Sequence, residues 1–166
     1  AAARFTGPRT VAAGDAVVRA RRVVVATGSS AFVPPIPGLD GEDHLTNETV
    51  FYRDHLPKRL IVIGGGPIGI ELAQAHRQLG VAVTVLELFS IMPKDDPELV
   101  AVVRRQLESD GLDIREGVTI ARVEKAGDGV AVILSDTDQG DGAEQRLEAD
   151  DVLVATGRRP NVSGLD

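Results

Sequence analysis

No cysteine occurs in the 166 residues. That absence excludes a disulfide, a thiol redox pair and a thiolate metal site within this chain. Aromatic residues are scarce at 3%, so Val, Ile, Leu and Ala must fill the core, and a hydrophobic content of 43% is enough for a sizeable one. Positive charge is also in short supply: 18 Lys and Arg face 25 Asp and Glu, a net charge of -7. A nucleic-acid groove needs a basic surface, so no nucleic-acid partner is expected. No apolar run approaches the ~20 residues that span a bilayer, so no membrane partner is expected either. The opening AAARFTGPRT lacks the basic-then-apolar order of a signal peptide. A soluble cytoplasmic protein is the expectation. The histidines His44 and His55 stand in polar segments without metal-ligand spacing, and no metal site is expected.

What is present alternates in type along the chain. TVAAGDAVVRA reads as two short strands about the Gly14-Asp15 turn, and RRVVVATGSS is an apolar run that stops at Gly28. FVPPIPG, with prolines at 34, 35 and 37, reads as an extended linker, with a domain boundary near Pro34 to Gly38. Residues 40 to 58 are polar and irregular, with a helical turn expected near Thr49 to Asp54. Leu60 to Ile63 is a buried-strand run. Ile68, Leu72, Ala75 and Leu79 recur at helical spacing, and Gly80 sits where a C-terminal cap belongs. Ala82 to Leu86 is the next strand. DDPELVAVVRRQLESDG predicts a helix capped by Asp96, opened by Pro97 and ended by Gly111, with Val100, Val103 and Leu107 as its buried stripe. Asp113 to Arg115 reads as a third strand. Val118 to Lys125, Val130 to Ser135 and Glu144 to Glu148 read as an antiparallel meander, turned at Gly127 to Gly129 and through an acidic loop at 136 to 142. DDVLVATG is a last buried strand. The β-α-β-α-β order predicts a parallel sheet with right-handed crossovers.

The stretch LIVIGGGPIGIELAQAHRQLGVAVTVLE carries the functional signal. Gly64, Gly66 and Gly69 fit G-x-G-x-x-G in the context that motif requires: a strand before it, a helix after it, and a second strand ending in an acid. Gly64 permits a tight turn, Gly66 lets the backbone approach a pyrophosphate, and Gly69 lets the helix pack close to the strand. The helix N-terminus then offers free N–H groups and a positive dipole end to phosphates. Pro67 suits the first helical position. Glu87 lies about the expected ~20 residues beyond the glycines, where a carboxylate accepts the ribose hydroxyls of an adenosine. It would repel a 2′-phosphate, and the first cation downstream is Lys94. NAD(H) is therefore expected over NADP(H).

Three segments taken in order, VVVATGSSAFVPPIPG, VIGGGPIGIELAQ and VLVATGRRPN, resemble the pyridine nucleotide-disulfide oxidoreductases. The resemblance is strongest to the branch of dihydrolipoamide dehydrogenase and mercuric reductase, and LTNETVF and IMPKDDPEL add to it. The implied fold is α/β, a Rossmann-like parallel sheet with βαβ units and an antiparallel β-meander, plus leftover strands of an incomplete FAD domain. Residues 1–36 would be the C-terminal part of the first FAD-domain segment and its linker. Residues 37–157 would be the NAD(H)-binding domain, and 158–166 the start of the return to the FAD domain. The family's own flavin-binding glycine loop, redox cysteine pair, ribityl-holding Gly-Asp and acid/base histidine have no counterpart in the chain. The expectation is a truncated piece, inactive by itself, of an FAD-dependent enzyme that passes hydride between NADH and FAD. Its parent would be a homodimer, and the piece itself is expected to self-associate through the orphaned strands of residues 1 to 30.

Residue by residue, the resemblance implies that Gly64, Gly65, Gly66, Pro67, Ile68 and Gly69 cradle the NAD pyrophosphate, Glu87 takes the ribose, Val118 borders the adenine, and Gly157 approaches the nicotinamide end. It implies that Thr27, Gly28 and Ser29 line the FAD, and that Glu71 is the family glutamate that pairs with a flavin-side lysine, here absent. A carboxylate placed near a helix N-terminus also accounts for Glu71. His76 reads as a packed, hydrogen-bonded histidine. Arg158 and Arg159 fit the family's Gly-Arg-x-Pro-Asn turn and equally read as an exposed cation pair. An NADH oxidase, a ferredoxin reductase-like flavoenzyme and a non-catalytic dinucleotide sensor remain open as alternatives.

Overall fold

The computed structural model describes residues 2–41, 44–135 and 144–165. They divide into two compact units, residues 1–30 with 158–166, and residues 31–157. The acidic loop expected at 136 to 142 lies outside the described residues.

In the first unit, β1 (Ala3–Gly7), β2 (Thr10–Ala13) and β3 (Ala16–Arg19) form an antiparallel sheet in that order. Gly14 takes a φ of +59° in the turn between β2 and β3, as the Gly14-Asp15 pair predicts. β4 (Ser29–Ala31) pairs with β13 (Arg158–Pro160). The apolar run before Gly28 forms no regular strand among the described residues, and Val24 in it is 85% exposed. An apolar strand gains from burial only where neighbours cover both faces.

The second unit is built on a five-stranded sheet in the order β5 (Leu45–Thr46), β12 (Asp151–Val154), β6 (Arg59–Ile63), β7 (Ala82–Leu86), β8 (Asp113–Arg115). All of its pairings are parallel. α1 (Pro67–Gln78) links β6 to β7, and α2 (Pro97–Ser109) links β7 to β8. The antiparallel sheet of β9 (Thr119–Ala126), β10 (Gly129–Ser135) and β11 (Glu144–Ala149) follows β8 and precedes β12. Alternate residues of the parallel strands enter different cores. Leu60, Val62, Val83, Val85 and Leu153 pack with Ile70, Ala73 and Leu107 of the helices. Ile61, Ile63, Val152 and Val154 pack with Val123, Val132 and Leu134 of the meander. Two covered faces explain why β6 reads as a continuous apolar run.

Within the second unit, which runs from Ala31, Val33 and Ile36 pack against the meander-side core and Leu39 is buried there. Three elements differ from the sequence reading. The short strand β5 within the polar stretch pairs with β12 through two residues, too few to leave a periodicity. On α1 the buried face is Gly69, Ile70 and Ala73, while Ala75 and Leu79 face solvent. The glycine loop sets this rotation, because the helix must present Gly69 to the strand end. On α2, Leu107 is buried and Val100 partly so, whereas Val103 is exposed. Both helices end as their glycines predict: Val81 N–H reaches His76 O and Gly80 N–H reaches Arg77 O, and Leu112 and Gly111 repeat the pattern on Leu107 and Glu108.

Candidate functional site

The sheet order reverses at β6. From β6 the chain moves outward through β7 to β8, then returns by way of the meander to β12 on the other side. The carboxyl ends of β6, β7 and β12 therefore meet at a topological switch point, where open α/β sheets bind ligands. Gly64, Glu87 and Ala155 occupy those ends.

The glycines there do different jobs. Gly64 has a φ of +110°, and a Cβ on it would lie 2.6 Å from Ala155 O. A Cβ on Gly69 would lie 2.0 Å from Gly64 O, so only glycine lets α1 begin this close to β6. A Cβ on Gly65 would meet Ile91 Cγ2 at 2.8 Å. Gly66 is the exception: it has an ordinary φ of -72° as N-cap of α1, and a Cβ there would touch nothing within 4 Å. Nothing among the described residues requires glycine at 66. Above it the backbone N–H groups of Gly66, Ile68 and Gly69 have no acceptor among the described residues. Pro67, first in the helix, has no N–H to satisfy.

Glu87 reaches back into this loop. Its Oε2 accepts Gly65 N–H at 2.7 Å and its Oε1 accepts Phe89 N–H at 3.0 Å. Both carboxylate oxygens keep a further lone pair for a ligand hydroxyl. Val118, half-buried, lies alongside, donating its N–H to Glu87 O at 3.2 Å. Gly157, exposed with a φ of +139°, follows β12, and its carbonyl accepts Phe32 N–H at 2.9 Å. The structure thus brings Gly64 to Gly69, Glu87 and Val118 together. Glu71 is exposed on α1 and makes no side-chain hydrogen bond or ion pair among the described residues. His76 Nδ1 lies 2.7 Å from Leu72 O, a hydrogen bond within the helix, as its reading as a packed histidine expects.

In the first unit, Thr27, Gly28 and Ser29 are laced to the segment after β12. Asn161 donates its N–H to Gly28 O at 2.9 Å and its side-chain amide to Thr27 O at 3.3 Å. Arg158 donates through Nε to Ser29 Oγ at 2.8 Å and through a second nitrogen to Ser29 O. Ser30 Oγ bonds Asn161 Oδ1 at 2.8 Å. Arg158 and Arg159 are both exposed, and Arg158 also ties the segment to Ser29. Sequence reasoning also passed over Glu116, whose carboxylate accepts Ile91 N–H at 2.6 Å and pairs with Arg104 of α2. Spacing could not reveal that contact, because a sheet edge brings its partners together.

The described residues contain no group of three or more His, Cys, Asp or Glu able to hold a metal ion. No helix among them is long and apolar enough to cross a membrane.

The whole chain, residues 1–166, matches the family model described as pyridine nucleotide-disulphide oxidoreductase. It is 39% identical over 166 residues to a dihydrolipoyl dehydrogenase of Thermus scotoductus, covering 98% of this chain and 35% of that protein. It is 37% identical over 165 residues to a mercuric reductase of Lysinibacillus sphaericus, covering 99% of this chain and 30% of that protein. The chain thus spans about a third of the length of these curated relatives. Among solved structures it is similar to LpdA from Mycobacterium tuberculosis, with a TM-score of 0.76 and 32% identity over 94% of this chain and 33% of that one. It is also similar to the HOCl-induced flavoprotein disulfide reductase RclA from Escherichia coli, with a TM-score of 0.78 and 26% identity over 98% of this chain and 36% of that one.

Proposed function

The chain belongs to the pyridine nucleotide-disulfide oxidoreductases, and from that premise we propose that residues 31–157 are the NAD(H)-binding unit of an FAD-dependent enzyme. The family is FAD- and NAD(P)-dependent. The observation that carries the reading is Gly66. Its backbone conformation is open to any residue and a Cβ there would meet no described residue within 4 Å, which supports a ligand as the reason for its lack of a side chain. A pyrophosphate lying across the start of α1 fits that vacancy of side chain, meets the unpartnered N–H groups and gains from the helix dipole.

The remaining residues divide the work. Glu87 accepts the adenosine ribose hydroxyls and repels a 2′-phosphate, which favours NAD(H) over NADP(H). Val118 gives the adenine an apolar wall. Gly157, without a side chain, leaves room at the end of β12 for the nicotinamide end. By the family resemblance, Glu71 would pair with a flavin-side lysine, and Thr27, Gly28 and Ser29 would line the FAD. A bound nicotinamide dinucleotide supplies the hydride. The chain's own residues bind and orient it, since redox chemistry in such enzymes belongs to the cofactors. Dihydrolipoyl dehydrogenases and mercuric reductases stand at similar identity to this chain, and hydride exchange between NADH and FAD is the step in which a unit of this kind would take part.

Calorimetric titration with NADH and with NADPH tests the reading. The protein is expected to prefer NADH. Glu87→Ala is expected to weaken NADH binding about tenfold, the worth of hydrogen bonds to a charged group, and to relax the discrimination. Equal affinities for both dinucleotides before and after the substitution would remove Glu87 from the site.

A further inference from the structure

The segments that follow β7 and β8 are bound to each other beside the glycine loop. Glu87 N–H reaches Arg115 O at 2.9 Å, Val118 N–H reaches Glu87 O, and Gly117 N–H reaches Phe89 O at 3.1 Å. Residues 89 to 92 then hold the cradle from outside. Phe89 N–H orients the Glu87 carboxylate. Met92 N–H donates to Gly65 O at 2.9 Å, and Ile91, 1% exposed, packs directly against Gly65. Met92 pays for this with a φ of +46°, in the left-handed region that methionine seldom adopts. Such a conformation persists only where neighbouring bonds over-determine it. Three bonds tie this turn to neighbouring segments: Met92 N–H to Gly65 O, Gly117 N–H to Phe89 O, and Ile91 N–H to the Glu116 carboxylate, which Arg104 in turn anchors to α2.

We propose that Glu116 is a positioning residue of the dinucleotide site: through Ile91 it holds the 89–92 turn that sets both Gly65 and the Glu87 carboxylate. The inference rests on the NAD(H)-binding reading above. The charge state suits the role. Burial raises the Glu116 carboxyl, but hydrogen bonds from Arg104 and Ile91 together with the Arg104 charge outweigh it and hold the group below its ordinary value. Glu116 is therefore ionised at neutral pH and remains a strong acceptor.

The test titrates the protein and its Glu116→Ala and Glu116→Gln variants with NADH and NADPH, with thermal unfolding measured in parallel. Glu116→Ala is expected to weaken NADH about fivefold, the worth of one hydrogen bond, and to weaken NADPH less, so that the preference shrinks. Glu116→Gln keeps an acceptor for Ile91 N–H and is expected to restore most of that preference. A purely structural residue would lower the unfolding temperature and leave the NADH-to-NADPH ratio unchanged. Should the alanine variant not fold, Glu116→Asp keeps the charge but shortens the reach to Ile91, and the same shrinking preference is expected. Unchanged affinity and ratio in the variants, with wild-type protein preferring NADH, would overturn the role of Glu116 alone. Failure of wild-type protein to bind either dinucleotide would overturn the binding reading and this inference with it.

Discussion

Gly66 and Gly69 stand three positions apart in one motif and answer to different demands. Alanine at 69 would drive its Cβ to within 2.0 Å of Gly64 O, so α1 would have to move off β6. Gly69→Ala is expected to cost about 1–3 kcal/mol, as overpacked sites do. Alanine at 66 meets open space at an ordinary φ and forfeits only the modest N-cap preference for glycine. Gly66→Ala is expected to leave the unfolding temperature within a few degrees of the parent while NADH binding is lost, because the added methyl stands where a pyrophosphate would. Thermal unfolding beside calorimetry separates the two. The residue types and spacing were legible in the sequence; the difference between the two glycines was not, because it depends on what surrounds a Cβ that is absent.

The helices and the meander show how far pattern alone carries. On α2, Val103 and Leu107 read as members of one stripe, yet Leu107 is 1% exposed and Val103 39%. Arg104 takes the inward position beside them because Glu116 lies there to meet it. Leu107→Ala is therefore expected to cost about 2–5 kcal/mol, and Val103→Ala less than about 1, by denaturant unfolding. The meander poses a related problem at its central strand. Ala131 and Ile133 of β10 are buried on the face away from the parallel sheet, outside both hydrophobic cores. Register places Arg122 and Arg146 on either side of Ile133, and Glu124 and Glu148 on either side of Ala131. Arg122 pairs with Glu124 and Glu144, and Arg146 with Glu124 and Glu148, so the long side chains roof the strand with their stems.

That roof has an acid-sensitive sign. Hydrogen bonds from Arg122 and then Arg146 lower the Glu124 carboxyl, and one from Arg122 lowers that of Glu144. A folded-state value below the unfolded one gives stability that is present above the unfolded carboxylate range, near 4.3, and is lost as pH falls through the folded value. Amide protection of β9 and β11 is expected to be flat above about pH 5 and to decline below the carboxylate range, and more salt should shrink the difference. Hydrogen exchange across that range, with Arg122→Gln as the control that has already lost the effect, checks it.

At the scale of the whole molecule, the second unit carries the proposed dinucleotide cradle on a sheet covered on both faces, while the first leaves several apolar residues exposed. Val17 and Val18 on the outer strand of its antiparallel sheet are 68% and 59% exposed, and Val24 and Val25 lie in a stretch with no ladder partner among the described residues. An open strand edge beside apolar side chains recruits another chain. We expect the protein to self-associate with rising concentration, and Val18→Lys with Val24→Asp to shift it towards the monomer. Sedimentation velocity across a concentration series measures this, and an unchanged distribution in the double variant would place any association elsewhere.

By itself the sequence determined the βαβ core, its caps and its nucleotide fingerprint, because each of these is a local pattern. Apolar runs specify strands, Asp96 and Pro97 start a helix, glycines end two, and G-x-G-x-x-G followed by Glu87 marks the proposed cradle. Only the tertiary structure decided which face of α1 is buried, where the second unit begins, that Arg158 bonds Ser29, and that Glu116 stands behind the Glu87 turn. Those facts depend on residues distant along the chain arriving at the same strand end. Spacing in a sequence cannot encode that meeting until sheet order and register bring them together.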